Sequence, residues 1–291
     1  MEEKTSFIKI LSYIAVVGVA IICLAPFWLI VAGSFSSESD IINYGYSLWP
    51  RNFSLASYQL VFQIPSKIID AYKVSITVTV AGTTTSLLIT AMTAYVLMRK
   101  DFKYRNQIAM LFYFPTIFSG GMLPSYLLIS KYLGLKNNIL ALILPGLLSA
   151  WNIFMMRNFM RDIPDSLMES AKLDGANDFQ IFSKIYLPLS KAGLATIGLF
   201  IALGYWNNWS DAMLYMDKPA MYPLQYLLYS MLASMKGIQQ AAALAGIAMP
   251  AMPTETFKMA MALVTTGPIL LVYPFVQRYF VKGVTIGAVK G

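Results

Sequence analysis

Residues 10–31 read ILSYIAVVGVAIICLAPFWLIV, a run without a single charged side chain. About 20 apolar residues are enough for an α-helix to cross the hydrocarbon core of a bilayer. Lys4 and Lys9 precede the run and small residues follow it at 32–34, as in a secretory signal. Its apolar core is longer than the roughly 7–15 residues of a signal peptide, so we predict an uncleaved anchor helix whose amino end lies inside.

The rest of the chain repeats this pattern. Of its 291 residues 57% are hydrophobic and only 12% are charged, whereas charged residues make up about 25% of ordinary soluble domains. Five further apolar runs lie at residues 74–98, 108–130, 139–156, from about 192 onward, and 259–280. We therefore predict an all-α, polytopic membrane protein with six transmembrane helices, folded as one permease domain over residues 1–291.

The loops between the runs predict the orientation. An even number of spans places both termini on the same side of the membrane. The loops 99–107 and 157–191 lie on that side as well. This side holds 14 of the 22 Lys and Arg residues and the other side holds 8, which favours the cytoplasm for the first. On the external side, Lys236, Gln239 and Gln240 interrupt the apolar parts of segment 213–258, which favours an interfacial or re-entrant helix over a seventh span.

The composition excludes several classes of function. The single cysteine, Cys23, permits neither an intrachain disulfide nor a thiolate metal site. There is no histidine, so Ser-His-Asp and Cys-His catalysis and the usual zinc ligand sets are absent. The net charge of +8 is held between apolar runs rather than in a nucleic-acid patch. We predict no catalytic residue, no metal site and no nucleic-acid partner.

One polar loop has a strong internal pattern, and residues 161–188 of it read RDIPDSLMESAKLDGANDFQIFSKIYLP. The pattern predicts two short helices, the first capped by Asp162 or Asp165 and ended by a left-handed turn at Gly175. Asn177 or Asp178 caps the second helix, and Pro188 limits it. Along the first helix Leu167, Ser170, Ala171 and Asp174 recur at three- and four-residue spacing. This face of small side chains is suited to docking on another protein, and a rigid hairpin can transmit force.

These residues resemble the EAA loop of permease subunits in binding-protein-dependent ABC importers. The resemblance is carried by Glu169-Ser170-Ala171, Asp174-Gly175-Ala176 and Ile185-Tyr186-Leu187-Pro188, with Ser170 standing where alanine is more usual. It implies a type I ABC importer permease fold in which a cytoplasmic helix-turn-helix, at about residues 159–190, docks in a cleft of an ATPase. The implied coupling residues are Glu169, Ser170, Ala171, Asp174, Gly175, Ala176, Phe182, Ile185, Leu187 and Pro188.

The six spans and the tail 277–291 extend the resemblance to maltose-type sugar permeases, and to their branch for complex oligosaccharides. This implies a carbohydrate importer in a bacterial cytoplasmic membrane. The implied partners are a homologous permease, two copies of an ATP-binding subunit and an extracytoplasmic solute-binding protein. The chain has no Gly-x-x-x-x-Gly-Lys-Ser/Thr phosphate loop, so we expect ATP and Mg on the separate ATPase, no cofactor on this chain, and no enzyme activity.

The predicted fifth span ends in a polar and aromatic cluster, Tyr205-Trp-Asn-Asn-Trp-Ser-Asp211. Polar groups at membrane depth are costly unless they face protein or water. Indole rings stack on sugars, and amides and carboxylates bind hydroxyls, so Trp206, Asn207, Trp209 and Asp211 are candidates to line a sugar path. In one continuous helix Asn207 and Asp211 share a face and Asn208 points to a neighbouring helix. Interhelical hydrogen bonds and an interfacial Trp belt are the alternative interpretation.

A secondary transporter or channel driven by an ion gradient is the alternative function. It favours buried charged relays and internally repeated helices, and apart from Asp211 the sequence shows neither. Prolines at 115, 124, 145, 268 and 274 predict kinked helices, which suit a gated pathway. The run 81–86, AGTTTS, predicts close helix packing.

Overall fold

The structure is a computed structural model of the chain, and it describes residues 2–63, 65–247 and 253–270, with side chains from residue 11 onward. The tail 277–291, Pro274 and the second half of the predicted sixth span lie outside these residues. The described residues form two compact units, one within 2–68 and 228–269 and the other within 69–227. A single permease domain over the whole chain stays a prediction.

Two helices of the described residues are long and apolar enough to cross a bilayer unbroken. They are Leu11–Ser34, which is the apolar part of the helix Glu2–Ser34, and Pro65–Met98. The second helix begins at Pro65, before the predicted position 74. Its first turns are polar, so they were not part of the apolar run on which the prediction was based. There Lys73 pairs with Asp70 at 3.1 Å, a spacing of three residues that supports an exposed helix.

The third and fourth predicted spans are bent pairs of helices rather than straight ones. Arg105–Ile117 and Met122–Tyr132 meet at 114°, and Leu140–Gly146 and Ala150–Arg161 meet at 55°. The first break contains Gly121 at φ 84°, a left-handed conformation that glycine adopts without strain. The second follows a 3₁₀ turn that contains Pro145, so the kink predicted there is confirmed.

The predicted fifth span begins with the helix Lys191–Asn207, and the sixth with a helix over 254–270. Between them lie the short helix Ser210–Tyr215 and the 21-residue helix Leu224–Leu244. The latter is not among the described helices that are long and apolar enough to cross a bilayer. This agrees with the prediction against a seventh span. Its placement at the membrane surface stays a prediction.

In the first unit, the Glu38 carboxylate closes the start of the helix over residues 254–270. Its oxygens accept hydrogen bonds from the backbone N–H groups of Glu255 and Thr256, both at 2.9 Å. They also accept from the hydroxyls of Thr254 and Thr256, at 3.3 and 2.8 Å. The first N–H groups of a helix lack intrahelical partners, and negative charge is favoured beside them. Glu38 therefore stabilises the start of this helix although it lies far away in the chain.

Two further contacts hold this helix inside the first unit. The Ser57 hydroxyl donates to the Thr256 hydroxyl at 2.7 Å, and both side chains are buried. Met259 lies so close to Gly33 that a Cβ on Gly33 would come within 2.1 Å of its sulfur. The end of the first span and the start of the helix over 254–270 are therefore packed together without room for a larger residue at position 33.

In the second unit, the run 81–86 packs closely against its neighbours, as the sequence predicts. The Tyr205 ring lies over Gly82, where a Cβ would come within 2.7 Å of the ring. The Ser86 hydroxyl donates to the carbonyl of Leu147 at 2.8 Å. Small residues let helices approach closely, and a hydroxyl satisfies a carbonyl that a bent helix leaves free.

Replacing Glu38 with alanine is expected to lower the free energy of unfolding by about 2–4 kcal/mol, because buried N–H groups lose their acceptor. Glu38→Gln retains one acceptor oxygen and is expected to lose less. Thermal unfolding in detergent measures both changes. Ser39→Ala is the control, since Ser39 is exposed on the same short helix. A Glu38→Ala protein as stable as Ser39→Ala would contradict the capping role.

Gly82→Ala is expected to destabilise the protein by about 1–3 kcal/mol, because the added methyl group overlaps the Tyr205 ring. Gly204→Ala is the matched control. It also adds one methyl group to a long helix, but nothing lies within 4 Å of its Cβ position, and alanine is the better helix former there. Thermal unfolding of the two variants side by side checks the contact. Equal midpoints would show that the ring is free to move aside.

Candidate functional site

The polar loop forms a hairpin of two helical arms, which we call the polar hairpin and define as residues 165–189. Its first arm is the helix Asp165–Leu173. The predicted cap by an Asp side chain is wrong, because the N-cap position is taken by Pro164 in an extended conformation and no side chain caps the helix. Asp165 is instead the first helical residue, where its charge suits the helix dipole.

The turn between the two arms is built as the sequence predicts. Gly175 adopts φ 78°, in the left-handed region that strains any residue with a Cβ. Asn177 caps the second arm, since its side chain accepts from the Gln180 N–H and the Gln180 side chain accepts from the Asn177 N–H, both at 2.9 Å. This reciprocal capping box fixes the direction in which the second arm leaves the turn.

The second arm continues through Pro188 rather than ending before it. It consists of Asp178–Ile181, a π-helical turn Phe182–Tyr186, and Leu187–Leu189. A proline has no N–H to donate and collides with a preceding carbonyl, and a π-helical turn lets the chain take it in. The arm then meets the helix Lys191–Asn207 at 82°. Pro188 therefore marks a corner and not the end of the helix.

One face of the polar hairpin packs against the rest of the second unit. Ile181, Phe182 and Tyr186 are buried, and Met168, Ala171, Ala176, Ile185 and Leu187 pack beside them. Ala171 is half-buried there, and its predicted contact with a partner stays a prediction. At this helical phase Ala171 follows Met168 by three residues, so both point inward on the same stripe.

Elsewhere on its surface the polar hairpin exposes large apolar side chains. Leu173 is 90% exposed, Phe179 is 70% exposed and Leu167 is 42% exposed. The predicted coupling residues Glu169, Ser170, Asp174, Gly175 and Pro188 are exposed as well. Such residues on a polar loop, outside any apolar run, are typical of a surface that another protein covers.

A second set of contacts joins the polar hairpin to the loop that follows the helix Pro65–Met98. Arg99 forms ion pairs with Asp101, its own neighbour, and with Asp178 of the second arm. Lys172 of the first arm pairs with Asp101 at 3.1 Å. Lys100 pairs with Asp165 at 2.7 Å. Both ends of the first arm and the start of the second are thus held by one short segment of chain.

The electrostatics of this cluster keep it charged. Hydrogen bonds from Arg99, aided by Lys172, hold the pKa of the Asp101 carboxyl well below its usual range. An aspartate with a depressed pKa contributes stability above its unfolded pKa of about 3.9, and this is lost only as the pH falls through the folded value. The Asp101 contacts therefore persist at neutral and mildly acidic pH.

Sequence reasoning missed this cluster. The signal was present as charge complementarity, because the loop 99–107 reads RKDFKYRNQ while the polar hairpin carries four acidic residues. Those residues are Asp165, Glu169, Asp174 and Asp178. Which bases meet which acids depends on the fold, since the loop and the hairpin are far apart in the chain.

The candidate sugar-path residues lie around a break rather than on one helix. The helix Lys191–Asn207 ends at Asn207, so the predicted common face of Asn207 and Asp211 is wrong. Asn208 was predicted to point to a neighbouring helix, but its hydrogen bonds are to Ser210 and Asp211, close by in the chain. Its side chain donates to the Asp211 carboxylate at 2.6 Å and accepts from the Asp211 N–H at 3.2 Å, so it satisfies an N–H group in the first turn of the next short helix.

The four candidates differ in exposure. Trp206 is 8% exposed and is part of the packing of its unit, while Trp209 is 38% exposed and Asn207 is exposed. The Asn207 amide donates to the Leu203 carbonyl at 3.0 Å and accepts from Gln225 at 3.2 Å. Asp211 is half-buried. Within the described part of the chain, no group of three potential ligands could hold a metal ion.

Comparison with known proteins agrees with this architecture. Residues 5–286 match the family described as the binding-protein-dependent transport system inner membrane component. The polygalacturonan/rhamnogalacturonan transport system permease protein YtcP of Bacillus subtilis (strain 168) is 41% identical over 99% of this chain and 100% of its own. The arabinooligosaccharides transport system permease protein AraQ of Halalkalibacterium halodurans is 30% identical over 100% of both chains.

A solved structure shares the fold. It is described as a bacterial ABC transporter involved in the import of the acidic polysaccharide alginate, and one of its chains matches with a TM-score of 0.76 and 29% identity. The match covers 94% of this chain and 97% of that one. Since sequence and fold agree over nearly the whole length, this chain belongs to the family of binding-protein-dependent transport system inner membrane components, the permease subunits of ABC transporters.

Proposed function

We propose that this chain is one permease subunit of an ATP-driven importer, which carries an oligosaccharide across the bacterial cytoplasmic membrane. The observation that carries the proposal is the polar hairpin. Its turn is fixed by Gly175 and the Asn177 capping box, one face is packed against the second unit, and Leu167, Leu173 and Phe179 are exposed. A preformed apolar knob on a polar loop fits the groove of a partner and moves with the helices at its two ends.

The proposed partner is a separate ATPase subunit that binds ATP and Mg. This chain has no phosphate-binding loop of the Walker type, so the energy must be supplied by another polypeptide. A complete importer would contain two ATPase copies, a homologous second permease and an extracytoplasmic solute-binding protein. Both termini of this chain and the polar hairpin would then face the cytoplasm, the side on which ATP is available.

The proposed cargo rests on the relatives. One is named for polygalacturonan and rhamnogalacturonan and another for arabinooligosaccharides, and the matching structure is described for alginate. All of these are carbohydrates with several sugar units. We assign an oligosaccharide to this chain on that basis.

The segment after Asn207 is the proposed place of contact with the sugar. Trp209 and Asn207 are exposed there, and a helix break places backbone groups beside them. Irregular backbone at membrane depth is tolerated where it lines a cavity or is covered by protein. The Asp211 carboxylate accepts a hydrogen bond from the Asn208 amide, and this contact holds the segment in place. Trp206 contributes packing that holds the segment, because its side chain is buried.

Reconstitution tests the proposal as a whole. The protein is isolated with its native partners and placed in liposomes, and uptake of labelled trigalacturonate and arabinotriose is followed with and without ATP. We expect an ATPase subunit and a second permease to co-purify, and uptake of one of the two sugars to require ATP and the solute-binding protein. Isolation as a homomer whose uptake follows an ion gradient would contradict the proposal and support a secondary transporter.

Leu173→Glu is expected to weaken retention of the ATPase subunit by about tenfold or more, because it places a charge in an apolar contact. The side chain is 90% exposed among the described residues, so the variant should insert and fold normally. Leu173→Met keeps an apolar side chain of similar size and is the matched control. Co-purification of the ATPase at graded salt measures the change. Equal retention in both variants would show that this face is not the docking surface.

A further inference from the structure

We propose that Arg99, Lys100 and Asp101 are positioning residues that fasten the polar hairpin to the end of the helix Pro65–Met98, so that this helix moves with the hairpin. We call these three residues the clamp. The proposal rests on the coupling role proposed above. It adds a second helix to that role, one that is not adjacent to the hairpin in the chain. Two breaks and two pairs of helices separate them in sequence.

The clamp holds the polar hairpin at three well-separated points. Lys100 meets Asp165 at the start of the first arm, at 2.7 Å. Asp101 meets Lys172 near the end of that arm, at 3.1 Å. Arg99 meets Asp178 at the start of the second arm. Three separate attachments resist both sliding and rotation of the hairpin relative to the helix.

Arg99 is the centre of the clamp. Its guanidinium presents Nε and Nη2 to the two Asp101 oxygens and Nη1 to Asp178, so it binds both carboxylates at once. Its side chain is 14% exposed. Isolated surface ion pairs contribute little, but forked geometry in a network with limited solvent access is the exception. The more exposed pair Lys100–Asp165 adds orientation more than strength.

Aromatic packing reinforces the clamp from the helix side. Tyr95 lies one turn before Arg99, and its ring centroid is 5.4 Å from that of Phe182 and 5.1 Å from that of Tyr186. Phe182 and Tyr186 are on the buried face of the second arm. Tilted aromatic pairs at these distances are favourable beyond the area they bury. Ion pairs and rings together leave the hairpin no independent freedom against this helix.

The consequence reaches the candidate sugar path. Gly82 lies in the same helix, about 24 Å from its end at 1.5 Å per residue, and the Tyr205 ring packs on it. Tyr205 immediately precedes the segment 206–211. The helix Pro65–Met98 is unbroken, and it therefore joins the polar hairpin at one point to the surroundings of that segment at another. When an ATPase moves the hairpin, the helix Pro65–Met98 moves with it, as do the two helices adjoining the hairpin in the chain.

The test measures whether the two parts move together in the complete importer. Spin labels are placed at Val96→Cys on the helix Pro65–Met98 and Lys184→Cys on the second arm, both exposed positions, in a Cys23→Ser background. Double electron–electron resonance records their distance in the nucleotide-free and the ADP–vanadate-trapped complex. We expect one narrow distribution, unchanged between the two states. A distance that changes between the states would overturn the proposal.

Arg99→Gln removes both Arg99 ion pairs and is expected to broaden the distribution at least twofold, with partial recovery in Arg99→Lys. Lys103→Gln is the matched control, because Lys103 is an exposed base of the same loop that makes no ion pair with the described residues. Arg99→Gln and Lys103→Gln distributions of equal width would overturn the clamp.

A charge exchange keeps the test decisive if Arg99→Gln does not assemble. Lys100→Asp and Asp165→Lys are each expected to broaden the distribution, and the double variant to narrow it again. No recovery in the double variant would overturn the clamp. Failure of any ATPase subunit to accompany the wild-type chain would overturn the proposed function instead, so the two failures are distinguishable.

Discussion

The structure depends on how the backbone groups freed at helix breaks find partners, since lipid offers none. The break between Leu140–Gly146 and Ala150–Arg161 shows the solution. The Tyr205 hydroxyl donates to the Ile143 carbonyl at 2.8 Å, and the Ser86 hydroxyl donates to the Leu147 carbonyl at the same distance. Other helices thus supply the missing hydrogen bonds. Specific side chains hold the bend. Each hydrogen bond also fixes the position of the donor's helix along the bent helix.

The same rule operates at helix starts. The Ser75 hydroxyl accepts from the backbone N–H of Leu224 at 2.8 Å in the second unit, and Glu38 accepts from two N–H groups in the first. Each of these acceptors is buried. A buried donor without a partner costs about 1–3 kcal/mol, so these contacts select one arrangement of helices. Polar residues that hydropathy counts as interruptions are here the residues that make bent and short helices possible.

This explains which features could be predicted from the sequence. The left-handed turn at Gly175 was predicted, and Asn177 was one of two predicted caps, because both follow from local rules that need only neighbouring residues. Kinks in both bent spans were predicted from the prolines at 115, 124 and 145, but prolines do not determine the angles of 114° and 55° between the helices. The inward direction of Ala171 and the partners of Arg99 depend on contacts between segments distant in the chain. The sequence shows the complementary charges of the loop and the hairpin, but not which residues meet.

Two kinds of exposed apolar surface on this chain have different meanings. The most apolar stretch of Leu11–Ser34 has no buried residue, yet it needs no protein partner, because lipid chains solvate an apolar helix as well as leucine does. Leu173 is equally exposed, but it is surrounded by Glu169, Lys172 and Asp174 on a polar loop. Such a loop lies in water rather than in lipid, and exposing an apolar side chain to water is unfavourable. Exposure alone is therefore uninformative, and its polar setting is what identifies the hairpin as a surface made for another protein.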